Sequence, residues 1–383
     1  MTTARVVVTG VGFETPLGSD PSTVWTRLLE GETASRTWPD LVDEGFPVPR
    51  ACRIPAALGE PDPRRRGRTL AVAAARAALH RSGLVPAGRV GVYVGTTMGE
   101  SAVFEAAGEG AELALDEAAG SVFAAEVAET LELEGPRRTY GTACAAGNYA
   151  LGAAAAAVGS GAVDAALAGG VEPFSRIALL GFARSRAMSS DLCRPFDANR
   201  SGMQLGEAAA FLVLEREDRA LARDAAVLAA VAGFGLSGDA FHPTAPRDDG
   251  SGMAAAMRAC LTAAAVSADE VGWVCAHGTG TTRSDAAEAS ALHAVFGEHP
   301  PPVSSIKGAL GHSLGAATAV QAVVAVLALR GRVLPPNANL EQLDESLGLD
   351  VPAEPRAAPG LRRVLSCGYA FGGLNSALLV EAA

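Results

Sequence analysis

Lysine is almost missing from this 383-residue chain. Of 31 basic residues only Lys307 is a lysine, and the rest are arginine. A genome rich in G and C would exchange lysine for arginine wherever only charge matters, so a lysine that survives asks for a reason. Basic charge is in deficit as a whole. The 31 Lys and Arg face 42 Asp and Glu for a net charge of -11, which argues against a protein that coats nucleic acid by neutralising phosphates. Aromatic residues are scarce at 5%, although 49% of the chain is hydrophobic, because the apolar content is largely alanine. The 19% of charged residues rules out general disorder. Cys52, Cys144, Cys193, Cys260, Cys275 and Cys367 include no CxxC pair and have no His-rich partner cluster, against both a zinc site and a disulfide framework. The longest apolar stretch, residues 314–329, contains Thr318 and Gln321 and is short for a membrane span. The start, MTTARVVVTGVG, lacks the length and cleavage pattern of a signal peptide. The expectation is a soluble, cytoplasmic protein with no metal, no nucleic acid and no membrane partner.

What is present is an alternation of short β-branched runs with longer Ala/Leu-rich stretches, the pattern of an α/β fold. In the first half, strands fit 5–10, 90–95, 138–142, 165–169 and 209–215, and helices fit 22–30, 69–82 and 144–158. In the second, strands fit 226–235, 271–276, 303–305, 363–368 and 376–380, and helices fit 253–264, 285–296 and 314–329. Each half carries a late Gly-rich strand-to-helix turn, GTACAAG and GALGHSLG, which suggests a duplication with halves 1–220 and 221–383. Residues 36–62 and 334–360, rich in proline and charge, read as surface connections, and 100–136 is acidic and helical in composition.

Cys144 lies where a strand ends and a helix begins. A thiol there faces the positive helix terminus, which favours the thiolate nucleophile, although a buried packing cysteine fits the spacing too. His277 ends an apolar strand and opens HGTGT, and His312 stands between glycines before an apolar helix. Each could be a satisfied structural histidine. Together with Cys144 they form a nucleophile and double-donor set, while the nearby carboxylates lack metalloprotease spacing. Lys307, five positions before His312, suits a fixed electrostatic role, with Glu288 as candidate counter-charge. Phe371 sits in a Gly-rich turn that reads either as a tight hairpin or as an oxyanion site with a movable ring.

These segments together resemble the elongating β-ketoacyl-acyl carrier protein synthases of the thiolase superfamily. The likeness runs through VVVTGVG at 6–12, GTACAAG at 141–147, CRPFDANRSGMQLGEAAA at 193–210, GDAFHPTAP at 238–246, CAHGTGT at 275–281, SSIKGALGHSLGAA at 304–317 and AFGGLNS at 370–376. It implies a duplicated, thiolase-like five-layer αβαβα fold, usually dimeric, that performs decarboxylative Claisen condensation. By that resemblance Cys144 accepts the acyl chain as a thioester. His277 and His312 donate to the malonyl thioester carbonyl, and the backbone N–H groups of Cys144 and Phe371 form the oxyanion hole. Lys307 and Glu288 are the charged pair behind the histidines, and Thr279 and Thr281 contact the phosphopantetheine arm. No cofactor is implied, because the substrates ride on the phosphopantetheine of an acyl carrier protein.

Several positions depart from the pattern. The stretch between Gly99 and Gly135 is short and acidic beside the usual synthase, a region that often lines the acyl tunnel and the dimer contact. By register Phe104 falls at the tunnel's end, where a bulky ring favours short or rigid chains. Ala370 and Leu374 replace the usual glycine and threonine of the Phe-gate loop, implying stiffer gating. Arg64, Arg65, Arg66 and Arg68, with Arg200, match places where the family docks its acidic carrier; a solvated charge cluster explains them equally. The leading expectation is a condensing enzyme of fatty-acid or, more so, specialised polyketide biosynthesis, acting as a homodimer or beside a ketosynthase-like subunit. The rivals are a non-decarboxylating acyltransferase on the same fold and a partner-dependent subunit of a heterodimer. A degradative thiolase would carry a second cysteine where Phe371 stands, and a chain-length factor would lack Cys144.

Overall fold

The computed structural model describes residues 4–55 and 62–383. Residues 1–3 of the first half, and 56–61 of the connection read at 36–62, lie outside the described residues. Among the described residues ten strands form the main sheet: β1 (Val6–Glu14), β2 (Val90–Gly95), β3 (Arg137–Tyr140), β4 (Ala165–Glu172), β5 (Ala208–Arg216), β6 (Ala229–Gly238), β7 (Trp273–Cys275), β8 (Val303–Ser304), β9 (Arg363–Ala370) and β10 (Leu374–Ala382). Their spatial order is β8-β7-β9-β10-β6-β1-β5-β4-β2-β3. The order reads as two five-stranded halves placed back to back. In each, two parallel pairings at the outer edge give way to antiparallel ones toward the centre, and β1 joins β6 through a short antiparallel ladder, Val6–Val8 against Ala229–Val231.

The main helices are α1 (Arg66–Ser82), α2 (Ser121–Thr130), α3 (Ala146–Gly159), α4 (Ser251–Ala264), α5 (Thr282–Phe296) and α6 (Ala317–Gly331). Helix α1 covers one face of β1, β5 and β4, with α2 packed beside it; α4 covers β6 and β10, with α5 against it. Helices α3 and α6 lie between the two halves and touch strands of both. The result is five layers: helices, half sheet, the α3 and α6 pair, half sheet, helices.

This position explains the alanine content. A helix sandwiched by sheets cannot present a polar face, and α6 is buried along nearly its whole length, including Thr318 and Gln321. The apolar helix at Leu314–Gly331 is thus a core helix by burial. Small side chains allow close approach. At Gly147 on α3, a Cβ would stand 2.6 Å from the Ala319 nitrogen and 2.7 Å from Thr318 Oγ1 on α6.

Helices at Pro39–Asp43, Ala102–Gly108, Leu115–Ala118, Arg176–Arg184 and Glu217–Ala222 have no counterpart in the spans expected from periodicity, apart from the helical composition noted across 100–136. The two connections also hold small ribbons, Arg36–Thr37 with Arg50–Ala51 and Val333–Leu334 with Arg356–Ala357. The central helices begin later than the sequence suggests. Regular α-helix starts at Ala146 and Ala317, each preceded by a 3-10 turn.

Candidate active site

Both 3-10 turns carry the same backbone irregularity. Ala143 stands at φ 47° and Leu314 at φ 40°, left-handed values that side-chain-bearing residues adopt only when their surroundings hold them there. The first turn sets Cys144 at the head of α3. The second follows His312 and leads into α6. The two turns face each other across the middle layer, where the α3 and α6 helices pack.

A cavity of about 340 Å³ opens between them, and its walls include Cys144, His277, Thr279, Thr281, His312 and Phe371. The structure thus brings together the residues singled out for chemistry. Cys144 is buried, and its ionisation differs from the sequence expectation. Burial pushes the thiol up to about 12, with Lys307 pulling the other way. The helix head is where it was expected, and burial, the largest influence on this group, favours the neutral thiol over the thiolate.

His277 follows β7, and its main chain is gripped from two sides. Glu288 Oε1 accepts the His277 N–H at 2.8 Å and Oε2 accepts the Gly278 N–H at 2.7 Å. Lys307 Nζ donates to the His277 carbonyl and, at 3.5 Å, to Gln321 Oε1. The two charged groups therefore meet through the His277 backbone. Gln321 had drawn notice only as a polar interruption; its Nε2 donates to the carbonyls of Cys275, Ala276 and Cys367, stitching the end of β7 and the middle of β9 to Lys307.

The imidazoles of His277 and His312 lie with centroids 5.3 Å apart and planes at 84°. Burial, reinforced by Lys307, holds both well below the ordinary histidine value, so both are neutral. For His312 the tautomer follows from geometry. Leu314 N–H donates to His312 Nδ1 at 3.2 Å, which leaves the proton on Nε2. His277 Nδ1 is buried with no hydrogen-bond partner among the described residues. Burial lowers the Lys307 ammonium, with Glu288 opposing, and raises Glu288 to about 7.

The hydroxyls of Thr279 and Thr281 are 2.9 Å apart on the cavity wall, and Asp285 accepts the N–H groups of Thr279 and Gly280 at 3.0 and 3.1 Å. Asp285 was not foreseen; an aspartate in the first turn of a helix carries no sequence signal of that use. Phe371 opens the three-residue 3-10 turn, Phe371–Gly373, that closes the antiparallel hairpin of β9 and β10, so the turn is a tight hairpin, but its aromatic is not buried. Its ring is 41% exposed and lies 5.7 Å from the ring of Phe182. The turn is tied to the segment after β6 by Gly372 N–H to the Pro243 carbonyl at 2.7 Å and Asp239 N–H to the Gly373 carbonyl at 2.9 Å.

Other residues fall elsewhere. Phe104 does not line the cavity. Successive helix positions diverge by about 100°, and on Ala102–Gly108 Val103 takes the inward place while Phe104 is 40% exposed. Arg200 is buried, paired with Asp344 at 2.7 Å and 3.8 Å from Asp285, so it buttresses the threonine loop and presents no charge to a carrier. Arg68 is buried too and donates to the Glu117 carbonyl at 3.0 Å. Arg66 binds the buried Glu207. Arg64 and Arg65 remain at the surface, paired with Asp62 at 2.9 Å and Glu126 at 3.0 Å. Arg186 was missed, an exposed guanidinium on the cavity wall that nothing in an arginine-rich sequence distinguishes.

The family profile described as Beta-ketoacyl synthase, N-terminal domain, matches residues 3–220, and the one described as Beta-ketoacyl synthase, C-terminal domain, matches 228–341. The chain belongs to the β-ketoacyl synthase family. Among its relatives, 3-oxoacyl-acyl-carrier-protein synthase 2 of Rhizobium meliloti is 35% identical, over 98% of each chain. The solved structure of the ishigamide ketosynthase/chain length factor is 36% identical with a TM-score of 0.92, covering 100% of both chains. A type II polyketide ketosynthase, solved with its acyl-carrier protein and bound to the hexaketide, is 27% identical with a TM-score of 0.92 over 100% of both chains. This β-ketoacyl synthase is therefore an acyltransferase that forms a carbon–carbon bond by condensation, on a thiolase-like fold. Relatives form complexes with acyl-carrier proteins and with chain length factors.

Proposed function

We propose that this synthase condenses a Cys144-bound acyl chain with malonyl-carrier protein in a specialised polyketide pathway, beside a ketosynthase-like subunit that completes its acyl tunnel. One observation carries the chemistry: two buried imidazoles, both neutral, share a cavity wall with a cysteine at a helix head. The likeness to ketosynthases solved with chain length factors supports the pathway and the partner.

In the first half-reaction the Cys144 sulfur attacks the acyl carbonyl of the carrier thioester. The pantetheine thiol leaves, and the proton lost by Cys144 ends on it. In the second, the bond between the malonyl Cα and its carboxylate breaks, carbon dioxide departs, and the electron pair passes to the thioester oxygen as an enolate. His312 Nε2–H and the His277 ring donate to that oxygen. Two neutral donors in a dry pocket stabilise the developing charge more than the uncharged carbonyl of the substrate. The enolate carbon then attacks the Cys144 thioester, whose oxyanion is taken by the backbone N–H groups of Cys144 and Phe371; collapse forms the ketone, breaks the carbon–sulfur bond and expels the Cys144 sulfur, which takes up one proton to return as the thiol.

Lys307 and Glu288 keep the His277 peptide in place for this work. Thr279 and Thr281 take the pantetheine arm, and Phe371 rotates away from Phe182 to admit it. Arg64, Arg65 and the missed Arg186 form the carrier-facing charge, while the buried Arg68 and Arg200 do not. The halves 1–220 and 221–383 act as one body, Cys144 supplied by the first and the histidines by the second. Simple acyl transfer needs no enolate donors, so the histidine pair favours condensation over a non-decarboxylating reaction. The test is intact-mass measurement after incubation with a panel of acyl-carrier proteins, with and without candidate partner subunits, followed by malonyl-carrier protein. Acylation at Cys144 and then extension by a two-carbon unit is expected. No acylation with any carrier overturns the reading, and acylation without a partner overturns the heterodimer.

A further inference from the structure

Glu172 is a fully buried carboxylate for which the steps above have no use. It ends β4, and both of its oxygens are occupied by donors. Oε2 accepts the N–H of Thr97 at 2.7 Å and of Gly315 at 2.8 Å; Oε1 accepts the N–H of Met98 at 2.9 Å and the Thr96 hydroxyl at 3.4 Å. Thr96–Met98 is the loop leaving β2, and Gly315 belongs to the turn between His312 and α6. The two segments lie in direct contact. A Cβ at Gly315 would come within 2.5 Å of the Thr96 backbone, so only glycine permits the approach that lets one carboxylate reach both.

The turn matters because of what hangs from it. The main chain of His312 is held independently, its N–H by the Gln204 carbonyl at 2.7 Å and its carbonyl by the Gly206 N–H at 2.9 Å. The ring has a different anchor, the Leu314 N–H on Nδ1. Leu314 stands at a strained φ of 40° and needs its neighbours to keep it there. Its immediate neighbour is Gly315, whose N–H is the one Glu172 takes.

We propose that Glu172 is a positioning residue for condensation. By gathering the N–H groups of Gly315, Thr97 and Met98 it holds the Leu314 turn, and the turn fixes the His312 ring with its proton on Nε2, facing the enolate oxygen. The inference rests on the role proposed for His312. A glutamine at this position keeps the shape but offers one acceptor oxygen and an NH₂ group, which must then face backbone donors. An aspartate keeps the carboxyl group and its two oxygens on a shorter arm.

The test uses Glu172→Gln and Glu172→Asp with three readouts: decarboxylation of malonyl-carrier protein, acylation of Cys144 by intact mass, and the ¹⁵N spectrum of labelled histidine. Glu172→Gln is expected to slow decarboxylation about tenfold to a hundredfold while leaving acylation within about threefold, in line with the loss of support behind a catalytic group. Its His312 signals should lose the single Nε2–H tautomer, and Glu172→Asp should recover part of both. Equal loss of the two half-reactions, or an unchanged tautomer in Glu172→Gln, overturns the proposal. Wild-type spectra showing the proton on Nδ1 overturn it without any variant. Should the wild type acylate Cys144 yet never decarboxylate malonyl-carrier protein, the condensing role of His312 fails instead, and the tautomer measurement still reports on the turn.

Discussion

Lys307 is 1% exposed, and its ammonium reaches the His277 carbonyl and the Gln321 amide in a space closed on all sides. Arginine is longer, planar and forked, and cannot place a single donor there. Lys307→Arg is expected to lower decarboxylation and condensation at least about tenfold, with acylation of Cys144 retained, when the half-reactions are assayed separately; near wild-type rates would return the lone lysine to coincidence. Cys144 gives a second expectation. Its thiol is held up to about 12 by burial, so the thiolate fraction climbs throughout the working range. Alkylation by iodoacetamide, followed by mass, should rise about tenfold per pH unit from pH 6 to 9 without levelling, whereas a plateau near neutrality would mark a thiol held low. Cys144, His277, His312 and Lys307 were legible in the sequence because each stands in a glycine-rich stretch that only a close backbone approach explains. Glu172 and Gln321 were not, since their backbone partners lie in segments far away in the chain, and Asp285 was not, since its bonds to the nearby Thr279 and Gly280 N–H groups depend on how that loop folds back.

At the scale of elements, the site depends on how closely α3 and α6 approach. Gly147 touches the α6 backbone so tightly that Gly147→Ala must push the helices apart or shift Thr318, whose hydroxyl accepts the Asn148 N–H at 2.8 Å. The substitution should cost about 1–3 kcal/mol, seen as a lower midpoint in thermal unfolding, and should slow acylation because the turn bearing Cys144 rides on α3. An unchanged midpoint would show that the contact yields. Strands were read within a few residues from their β-branched runs, and the long helices from their alanine and leucine. Short helices such as Pro39–Asp43 and Leu115–Ala118 escaped because five or four residues carry little more than one turn of periodicity, and the 3-10 starts at Ala143 and Leu314 because nothing in an Ala or Leu announces a left-handed backbone.

Across the whole molecule, burial collects carboxyl groups. Glu14, Glu100, Glu172 and Glu288 are raised from 4.5 to about 7, and Asp285 from 3.8 to about 6, by desolvation first in every case. The unfolded chain ionises them at their ordinary values, so between those values and the raised ones the folded state binds more protons. That contribution to stability is full at low pH and is lost as the pH climbs through 7. His277 and His312, depressed from 6.5, oppose it only as the pH falls below 6.5. The thermal midpoint should therefore fall between pH 6.5 and about 8 in a calorimetric series, and a rise over that interval would mean these carboxyls are ionised in the fold. The sequence by itself determined the α/β alternation, the two similar halves and the chemical set of cysteine, histidines and lysine, because periodicity, glycine spacing and residue type are local properties. Only the tertiary structure decided which arginines face outward, where Phe104 points, how the thiol ionises and which carboxylate holds which turn. Those outcomes depend on burial and on hydrogen bonds between distant segments, which exist once the five layers have closed.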